Sequence, residues 1–127
     1  MRPRGIHHLG VAVDDLDAAL FGAVPEHRDR LADQGVEAVS MIVGGSRIEL
    51  LAPLGPDTPV GRFLAKRGPG MHHVAYEVAD LDATLTELAD AGADLIDVPR
   101  AGLFGLEVAF VHPDSVHGVL SEVVSVG

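Results

Sequence analysis

The chain contains the same pattern twice, and this internal repeat limits the folds that it can adopt. Residues 6–20 read IHHLGVAVDDLDAAL, and 65 residues later residues 71–85 read MHHVAYEVADLDATL. Eight of the fifteen paired positions are identical, including both histidines. Self-similarity at a fixed offset indicates a repeated structural unit, but two copies are too few for a solenoid. Duplication of one small module is therefore the better interpretation.

Each copy is predicted to begin as a strand and to continue as a helix. The β-branched residues after the histidines suit a pleated surface, and Asp15 and Asp80 are suitable N-caps. The second helix is predicted over 81–91, with Gly92 ending it, whereas the first must be short and end near Gly22. We predict further strands at 26–31, 36–43 and 46–52, the last two joined by a turn at Gly44-Gly45, and at 94–98, 106–112 and 118–125.

The resulting element order is β-α-β-β-β, twice, which is an α+β fold. With 127 residues, the chain fits one domain with a shared core. We expect a single domain over 1–127, made of module one (5–53), a linker (54–70) and module two (71–125). The linker is rich in proline and glycine around a short helix near Val60 to Lys66.

Composition excludes several classes of partner. The net charge is −10 and no basic run exists, so we expect no nucleic acid partner. No apolar run approaches the roughly 20 residues that span a bilayer, so we expect no membrane association. The absence of cysteine excludes disulfides and thiolate metal sites. The first residues, MRPRGIHHLG, also lack the apolar stretch of a signal peptide. Together these features favour the cytoplasm.

Strand alternation separates the histidines of each pair. Side chains two residues apart share a face, so His8 shares one with Gly10 and Ala12, and His73 shares one with Ala75. The opposite faces are mostly apolar and are predicted to pack against the helices. The His8 and His73 faces would then line a groove in which small residues leave room for a ligand.

The closing strand of each copy carries a lone carboxylate among apolar residues, namely Glu49 and Glu122. Burying an unpaired carboxylate is costly, so it should neutralise, pair or bind a cation. With His8 and His73 they form a mixed nitrogen and oxygen ligand set. Such a set suits Co²⁺, Mn²⁺, Mg²⁺, Fe²⁺, Ni²⁺ or Zn²⁺ with open coordination positions.

A single His-His pair or a single buried-strand glutamate is more often structural than functional. Here the recurrence of both features in the two copies favours the metal site. We interpret the first histidines of the pairs, His7 and His72, as core residues or as residues that support the ligands. The remaining histidines are expected in loops or on the surface: His27, His112 and His117.

The motifs IHHLGVAVDDLDAAL, RIELLAP, GMHHVAYEVADLDATL and VAFVHPDSVHGVLSEVV resemble the methylmalonyl-CoA epimerases of the vicinal oxygen chelate superfamily, which also contains glyoxalase I. The likeness covers nearly the whole chain, in order and with similar spacing. The stretch LAPLGPDTPVGRFLAKRGPGMHHVA is similar to the middle of these enzymes.

This resemblance implies a fold in which two βαβββ modules form a cupped mixed sheet around one divalent metal. It assigns His8, Glu49, His73 and Glu122 as ligands. The implied reaction interconverts the C2 epimers of methylmalonyl-CoA, or of a close acyl-CoA such as ethylmalonyl-CoA, through an enolate. Epimerisation needs an acid/base on each face of that enolate. Glu122 is the first candidate, as both ligand and base, and Glu49 is a candidate for the opposing role. The resemblance also suggests a homodimer.

The chain departs from these enzymes at several positions. The position of an additional catalytic glutamate found in some members falls on Ala38, and Glu37 could replace it only if the strand register slipped by one. Leu103-Phe104-Gly105 stands where many members have Ala-His-Gly, and Asp114 stands where a lysine is familiar. The basic residues that could meet the CoA tail are Arg62, Lys66, Arg67 and Arg100.

Three other functions fit a chain of this kind. Glyoxalase I uses the same ligand types on a glutathione hemithioacetal. A binding protein that sequesters a small molecule would use the groove without a metal and leave the four potential ligands unexplained. An iron-dependent ring-cleaving dioxygenase would use two histidines and one carboxylate, which would make Glu49 surplus.

Overall fold

A computed structural model describes residues 1–96 and 100–126. Two compact units can be distinguished: Met1–His8 with His73–Gly127, called here the terminal unit, and Leu9–His72, the central unit. None of the helices in these described ranges has the length and apolar character needed to cross a membrane. The elements are β1 (Gly5–Ala12), α1 (Leu16–Ala19), β2 (Pro25–Leu31), β3 (Val36–Val43), β4 (Ser46–Pro53), α2 (Pro59–Arg67), β5 (Gly70–Glu77), α3 (Leu81–Asp90), β6 (Arg100–Ala101), β7 (Glu107–Val111) and β8 (Ser121–Ser125).

The predicted order β-α-β-β-β is confirmed in both halves of the sequence. In the central unit the strands lie in the order β2-β3-β4-β1, with β4 parallel to β1 and the other pairs antiparallel. The predicted turn at Gly44-Gly45 joins β3 to β4, and Gly44 adopts a positive φ of 60°. In the terminal unit the described strands lie in the order β5-β8-β7-β6, with β5 parallel to β8 and the other two pairs antiparallel.

The first helix is as short as predicted. The Asp15 carboxylate caps it by accepting hydrogen bonds from the backbone N–H groups of Asp17 (3.0 Å) and Ala18 (3.2 Å). The chain then places Phe21 (φ 51°) and Gly22 (φ 80°) in the left-handed region, which cannot continue a right-handed helix. The helix therefore ends after one turn.

The apolar strand faces pack against the helices, which confirms the predicted facing. In the central unit Val13 and the half-buried Val11 pack in a cluster with Leu16 of α1. In the terminal unit Val78 packs with Leu81 and Leu85 of α3. The faces that carry the second histidine of each pair are thereby turned away from the helices.

Two predicted strands of the second copy differ from the structure. The closing strand β8 begins at Ser121 rather than at 118, because Gly118 has a φ of 85° and lies in a bend that precedes the strand. The strand predicted over 94–98 is represented by a single antiparallel bridge between Leu95 and Val111, and residues 97–98 lie outside the described residues.

Helix α2 requires a glycine at position 61. A Cβ atom at Gly61 would lie 2.5 Å from the Gly55 carbonyl oxygen and 2.7 Å from that of Pro56, and neither backbone atom can rotate away. We therefore expect Gly61→Ala to lower the free energy of unfolding by about 1–3 kcal/mol, the usual cost of overpacking. Urea denaturation measures this, with Gly45→Ala as the control, since a Cβ at Gly45 meets nothing within 4 Å. Equal stability of the two variants would contradict the expectation.

Candidate metal centre

The side chains of His8 and His73 meet in the terminal unit. The Arg4 N–H donates to the Glu77 carbonyl oxygen (2.7 Å), so the segment containing His8 runs antiparallel to β5 and sets the two histidines opposite each other. Their Nε2 atoms are 2.9 Å apart and their rings are nearly perpendicular, at 85°. Each side chain is almost fully buried, with 2% of its surface exposed.

Glu122 joins this pair from the neighbouring strand β8. Its carboxylate oxygen Oε1 lies 3.3 Å from Nε2 of His8, and the residue is buried. In the sheet register Glu122 pairs with Ala75 of β5 and with Phe110 of β7. The small Ala75 leaves space above the strand for the carboxylate. Three of the four predicted ligands thus come together in one unit.

The chemistry of this cluster is that of a cation site. Two imidazole lone pairs 2.9 Å apart repel each other unless a proton or a cation lies between them, and the nearby carboxylate oxygen adds further negative charge. Nitrogen ligands about 2.1 Å from an ion and at right angles are separated by about 3.0 Å, close to the separation here. Two imidazoles and a carboxylate suit the divalent transition metals. The residues present therefore fit the predicted metal.

Phe110 belongs to the same face and was not predicted as a site residue. Its half-buried ring contacts His73 edge to face, with centroids 5.9 Å apart. Such a contact holds the imidazole in one orientation and excludes water from one side of it. From the sequence of residues 108–111 alone, the face on which Phe110 lies could not be assigned to the site. The pairing of Phe110 with Glu122 in the sheet assigns it.

The fourth predicted ligand, Glu49, lies in the central unit on β4. It is paired with Gly10 of β1 on one side and with Ser40 of β3 on the other, and 4% of its surface is exposed. Burial raises the pKa of the Glu49 carboxyl to about 7, and the positive charge of Arg47 only partly offsets this. A carboxyl group with this pKa can gain or lose a proton near neutral pH.

The raised pKa makes stability depend on pH in the metal-free protein. Between about pH 4.5 and 7 the unfolded chain ionises Glu49 while the folded chain does not, so stability falls as pH rises through this window. At 1.36 kcal/mol per pKa unit the loss is about 3 kcal/mol. We expect Glu49→Gln to remove most of this loss.

Urea denaturation with a chelator at pH 5 and pH 8 measures the effect. The matched control is Glu107→Gln, which removes an exposed carboxyl on β7. If Glu49→Gln loses as much stability as the original chain between these pH values, the Glu49 carboxylate does not cause the pH dependence of stability.

A second group of charges lies near Glu49 in the central unit. Glu26 occupies a register shift in the β2–β3 pairing, where it accepts hydrogen bonds from Arg47 Nε (2.9 Å) and the Ser40 hydroxyl (3.0 Å). The hydrogen bond from Arg47 lowers the pKa of Glu26 to about 2. The bidentate ion pair places the Arg47 guanidinium on the same strand face as Glu49, two residues away.

The strand register places Glu37 on the face opposite to Glu49. Ala38 pairs with Leu51 and Ser40 pairs with Glu49, so no slip occurs and Glu37 points to the other face. There it contacts Arg28, whose Nη2 lies 3.5 Å from Oε1. Ala38, on the same face as Ser40, is fully buried.

The first histidines of the two pairs have different surroundings. Nδ1 of His7 lies 2.8 Å from Nδ1 of His8, so His7 contacts a predicted ligand. In the central unit, the His72 ring meets the Phe63 ring edge to face at 4.9 Å, and burial lowers the pKa of His72. His27 and His117 are exposed, and Nδ1 of the partly exposed His112 accepts the Asp114 N–H (3.1 Å), as expected for surface and loop histidines.

Comparison with known proteins adds to this geometry. Residues 7–110 match the model of the Glyoxalase/Bleomycin resistance protein/Dioxygenase superfamily. The chain is 35% identical to the ethylmalonyl-CoA/methylmalonyl-CoA epimerase of Cereibacter sphaeroides, over 95% of this chain and 97% of the relative. It resembles the crystal structure of methylmalonyl-CoA epimerase from Mycobacterium tuberculosis with a TM-score of 0.90 at 36% identity, over 97% of this chain and 88% of the other.

A third similar protein was solved with a substrate analogue. A variant of the Streptomyces coelicolor methylmalonyl-CoA epimerase, in complex with 2-nitronate-propionyl-CoA, matches with a TM-score of 0.90 at 36% identity. The match covers 98% of each chain. These likenesses at high coverage confirm the predicted fold class.

Proposed function

We infer the activity from family membership: the chain belongs to the Glyoxalase/Bleomycin resistance protein/Dioxygenase superfamily and, within it, to the methylmalonyl-CoA epimerases. We propose that it is an isomerase that interconverts (2R)- and (2S)-methylmalonyl-CoA by proton transfer at C2. The observation that carries the proposal is the buried convergence of His8, His73 and Glu122.

We propose that these three residues and Glu49 hold one divalent metal, with Co²⁺, Mn²⁺, Zn²⁺, Mg²⁺ and Ni²⁺ as the candidate ions. Support for Glu49 comes from its burial, which raises the pKa of its carboxyl, and from its pairing with Gly10, on the strand and face that also carry His8. When bound, such an ion would polarise the thioester carbonyl and stabilise the negative charge that develops on its oxygen.

The residues of the chain would move the proton. Glu122 and Glu49 are the proposed acid/base pair, one for each face of the planar enolate. In the metal-free protein, burial raises the pKa of the Glu49 carboxyl to about 7, so this carboxyl binds a proton more readily than an exposed one. Ala38 offers no ionisable group, so the position used by some relatives is not available here.

The acyl-CoA substrate also needs contacts for its phosphates. We propose that the basic residues of α2 supply them, because Lys66 and Arg67 lie in its last turn and Arg62 is exposed. The Arg67 guanidinium lies 5.8 Å from the centre of the Phe63 ring, which gives it a defined position. Arg100 stays a candidate from sequence, and its side chain lies outside the described residues.

The homodimer, the cytoplasmic location and the module bounds 5–53 and 71–125 also remain predictions.

Exchange of the C2 proton tests the proposed reaction. The purified protein, loaded in turn with each candidate ion, is incubated with methylmalonyl-CoA in D₂O, and deuterium incorporation is followed by mass spectrometry. We expect incorporation at C2 together with conversion of one epimer into the other. No exchange with any of the ions would reject the proposal.

A lactoylglutathione assay on the same samples addresses the main alternative, since glyoxalase I acts on a glutathione hemithioacetal with similar ligands. We expect no turnover. Ethylmalonyl-CoA, offered in parallel, measures how strictly the acyl group is selected.

A further inference from the structure

We propose that His7 is a positioning residue for the metal centre, which accepts a hydrogen bond from Nδ1 of His8 and so directs the lone pair of Nε2 into the site. The inference rests on the proposed function because it concerns the ligand role of His8. It adds a residue that lies on the opposite strand face from the ligands and that no ligand pattern identifies.

The first observation is the contact itself. Nδ1 of His7 lies 2.8 Å from Nδ1 of His8, and the two rings are close to perpendicular, at 79°. At this separation one of the two nitrogens must carry the hydrogen and the other must accept it. Neighbouring residues on a strand normally point apart, so the contact requires the two rings to turn toward each other.

The second observation is that the two nitrogens of His8 have different surroundings. Nε2 faces Nε2 of His73 at 2.9 Å and Oε1 of Glu122 at 3.3 Å, whereas Nδ1 faces His7. A ligating imidazole uses the lone pair of one nitrogen, which leaves its proton on the other. His8 can therefore ligate through Nε2 only when Nδ1 is the donor.

The tautomers of both rings follow from this requirement. If Nδ1 of His8 donates, Nδ1 of His7 must accept, and His7 carries its own proton on Nε2. A partner that accepts the second N–H of a ligating histidine fixes the ring orientation and increases the basicity of the ligand. His7 supplies an acceptor of this kind from the adjacent position in the chain.

The two copies of the repeat differ here. The residue equivalent to His7 is His72, whose ring packs against Phe63 in the central unit. The repeated His-His pattern thus serves two different purposes at its first position. A variant at His72 is therefore a suitable control for a variant at His7, because both residues are the first histidine of a His-His pair.

Calorimetric titration of the metal-free protein with Co²⁺ and with Zn²⁺ tests the proposal. His7→Phe keeps a ring but removes the acceptor, and we expect a loss of about 10- to 100-fold in affinity. His7→Asn places an amide oxygen near the position of Nδ1, and we expect its affinity to lie within about threefold of the original. His72→Phe and His117→Gln are controls that remove a histidine elsewhere, and we expect both to bind as the original chain does.

Long-range ¹H–¹⁵N correlation spectra of the metal-free protein give a second readout. We expect His8 to carry its proton on Nδ1 in the original chain and in His7→Asn, and to lose this preference in His7→Phe. Thermal melts of the variants establish that each is folded.

The outcomes separate this inference from the proposed function. If the original chain binds metal and His7→Phe binds equally well, the role of His7 is refuted and the epimerase proposal stands. Equal loss in His7→Phe and His7→Asn would also refute it, because an acceptor would then not be the requirement. If the original chain binds neither Co²⁺ nor Zn²⁺, the role of His7 as a support for a ligand of these ions is refuted, and proton exchange with the other candidate ions decides the epimerase proposal.

Discussion

Replacing His73 with alanine is expected to remove metal binding and C2 proton exchange together. Nε2 of His73 is one of the two nitrogens at the centre of the buried cluster, so its loss leaves too few ligands in the terminal unit. Loss of several kcal/mol of charge stabilisation corresponds to a fall of roughly 10³-fold or more in the rate. Metal content by mass spectrometry and deuterium incorporation at C2 are the two measurements.

His72→Ala is the matched control for this variant, since it removes the adjacent imidazole. His72 contacts Phe63, and an aromatic pair of this kind contributes about 1 kcal/mol, so we expect lower stability with metal content unchanged. If His73→Ala and His72→Ala both keep full metal content, the strand facing on which the site depends is wrong. Circular dichroism of both variants distinguishes loss of a ligand from loss of the fold.

The second large effect is expected at Glu122. Glu122→Gln keeps the size and the ligating oxygen of the side chain but removes the base, so at saturating metal we expect epimerisation to fall about 10²- to 10⁴-fold. The measurement is the rate of conversion of each pure epimer into the other. A variant that epimerises at the original rate would exclude Glu122 as an acid/base.

Exchange from each epimer separates Glu122 from Glu49 in this reaction. With one base on each face, Glu122→Gln should block proton removal from one epimer and leave exchange from the other. Glu49→Gln should show the complementary pattern, since Glu49 is proposed to serve the opposite face of the enolate. If Glu49→Gln leaves exchange from both epimers intact, another group opposes Glu122.

The order of the strands and helices, the helix caps and several strand limits were predictable, because each depends on residues that are close together in the sequence. The 65-residue repeat predicted the order of strands and helices, and Asp15 and Asp80 were recognised as caps because a short carboxylate can accept the first free N–H groups of a helix. The strand limits 36–43 agree with β3 because a glycine turn follows them. Alternation along the first strand of each copy, together with the repeated histidine, predicted that His8 and His73 would meet.

The tertiary structure decided what depends on pairing between distant residues. Sequence predicted that Glu122 belongs with the histidines, but the 3.3 Å contact with His8 and the neighbouring position of Phe110 follow from the register of β5, β8 and β7. The start of β8 at Ser121 follows a positive φ at Gly118, a conformation that glycine permits but that its presence in the sequence does not require.

The ring contact between His7 and His8 shows most clearly which features the sequence predicts and which depend on tertiary structure. Strand alternation places the two side chains on opposite faces, and this remains true of their Cβ directions. The rotation that brings Nδ1 to Nδ1 depends on the side-chain torsions, which packing of the surrounding residues selects. Sequence therefore determined the order of strands and helices and the residues proposed as ligands, whereas side-chain packing and strand register decided how those residues are held, because both arise only when distant segments are in contact.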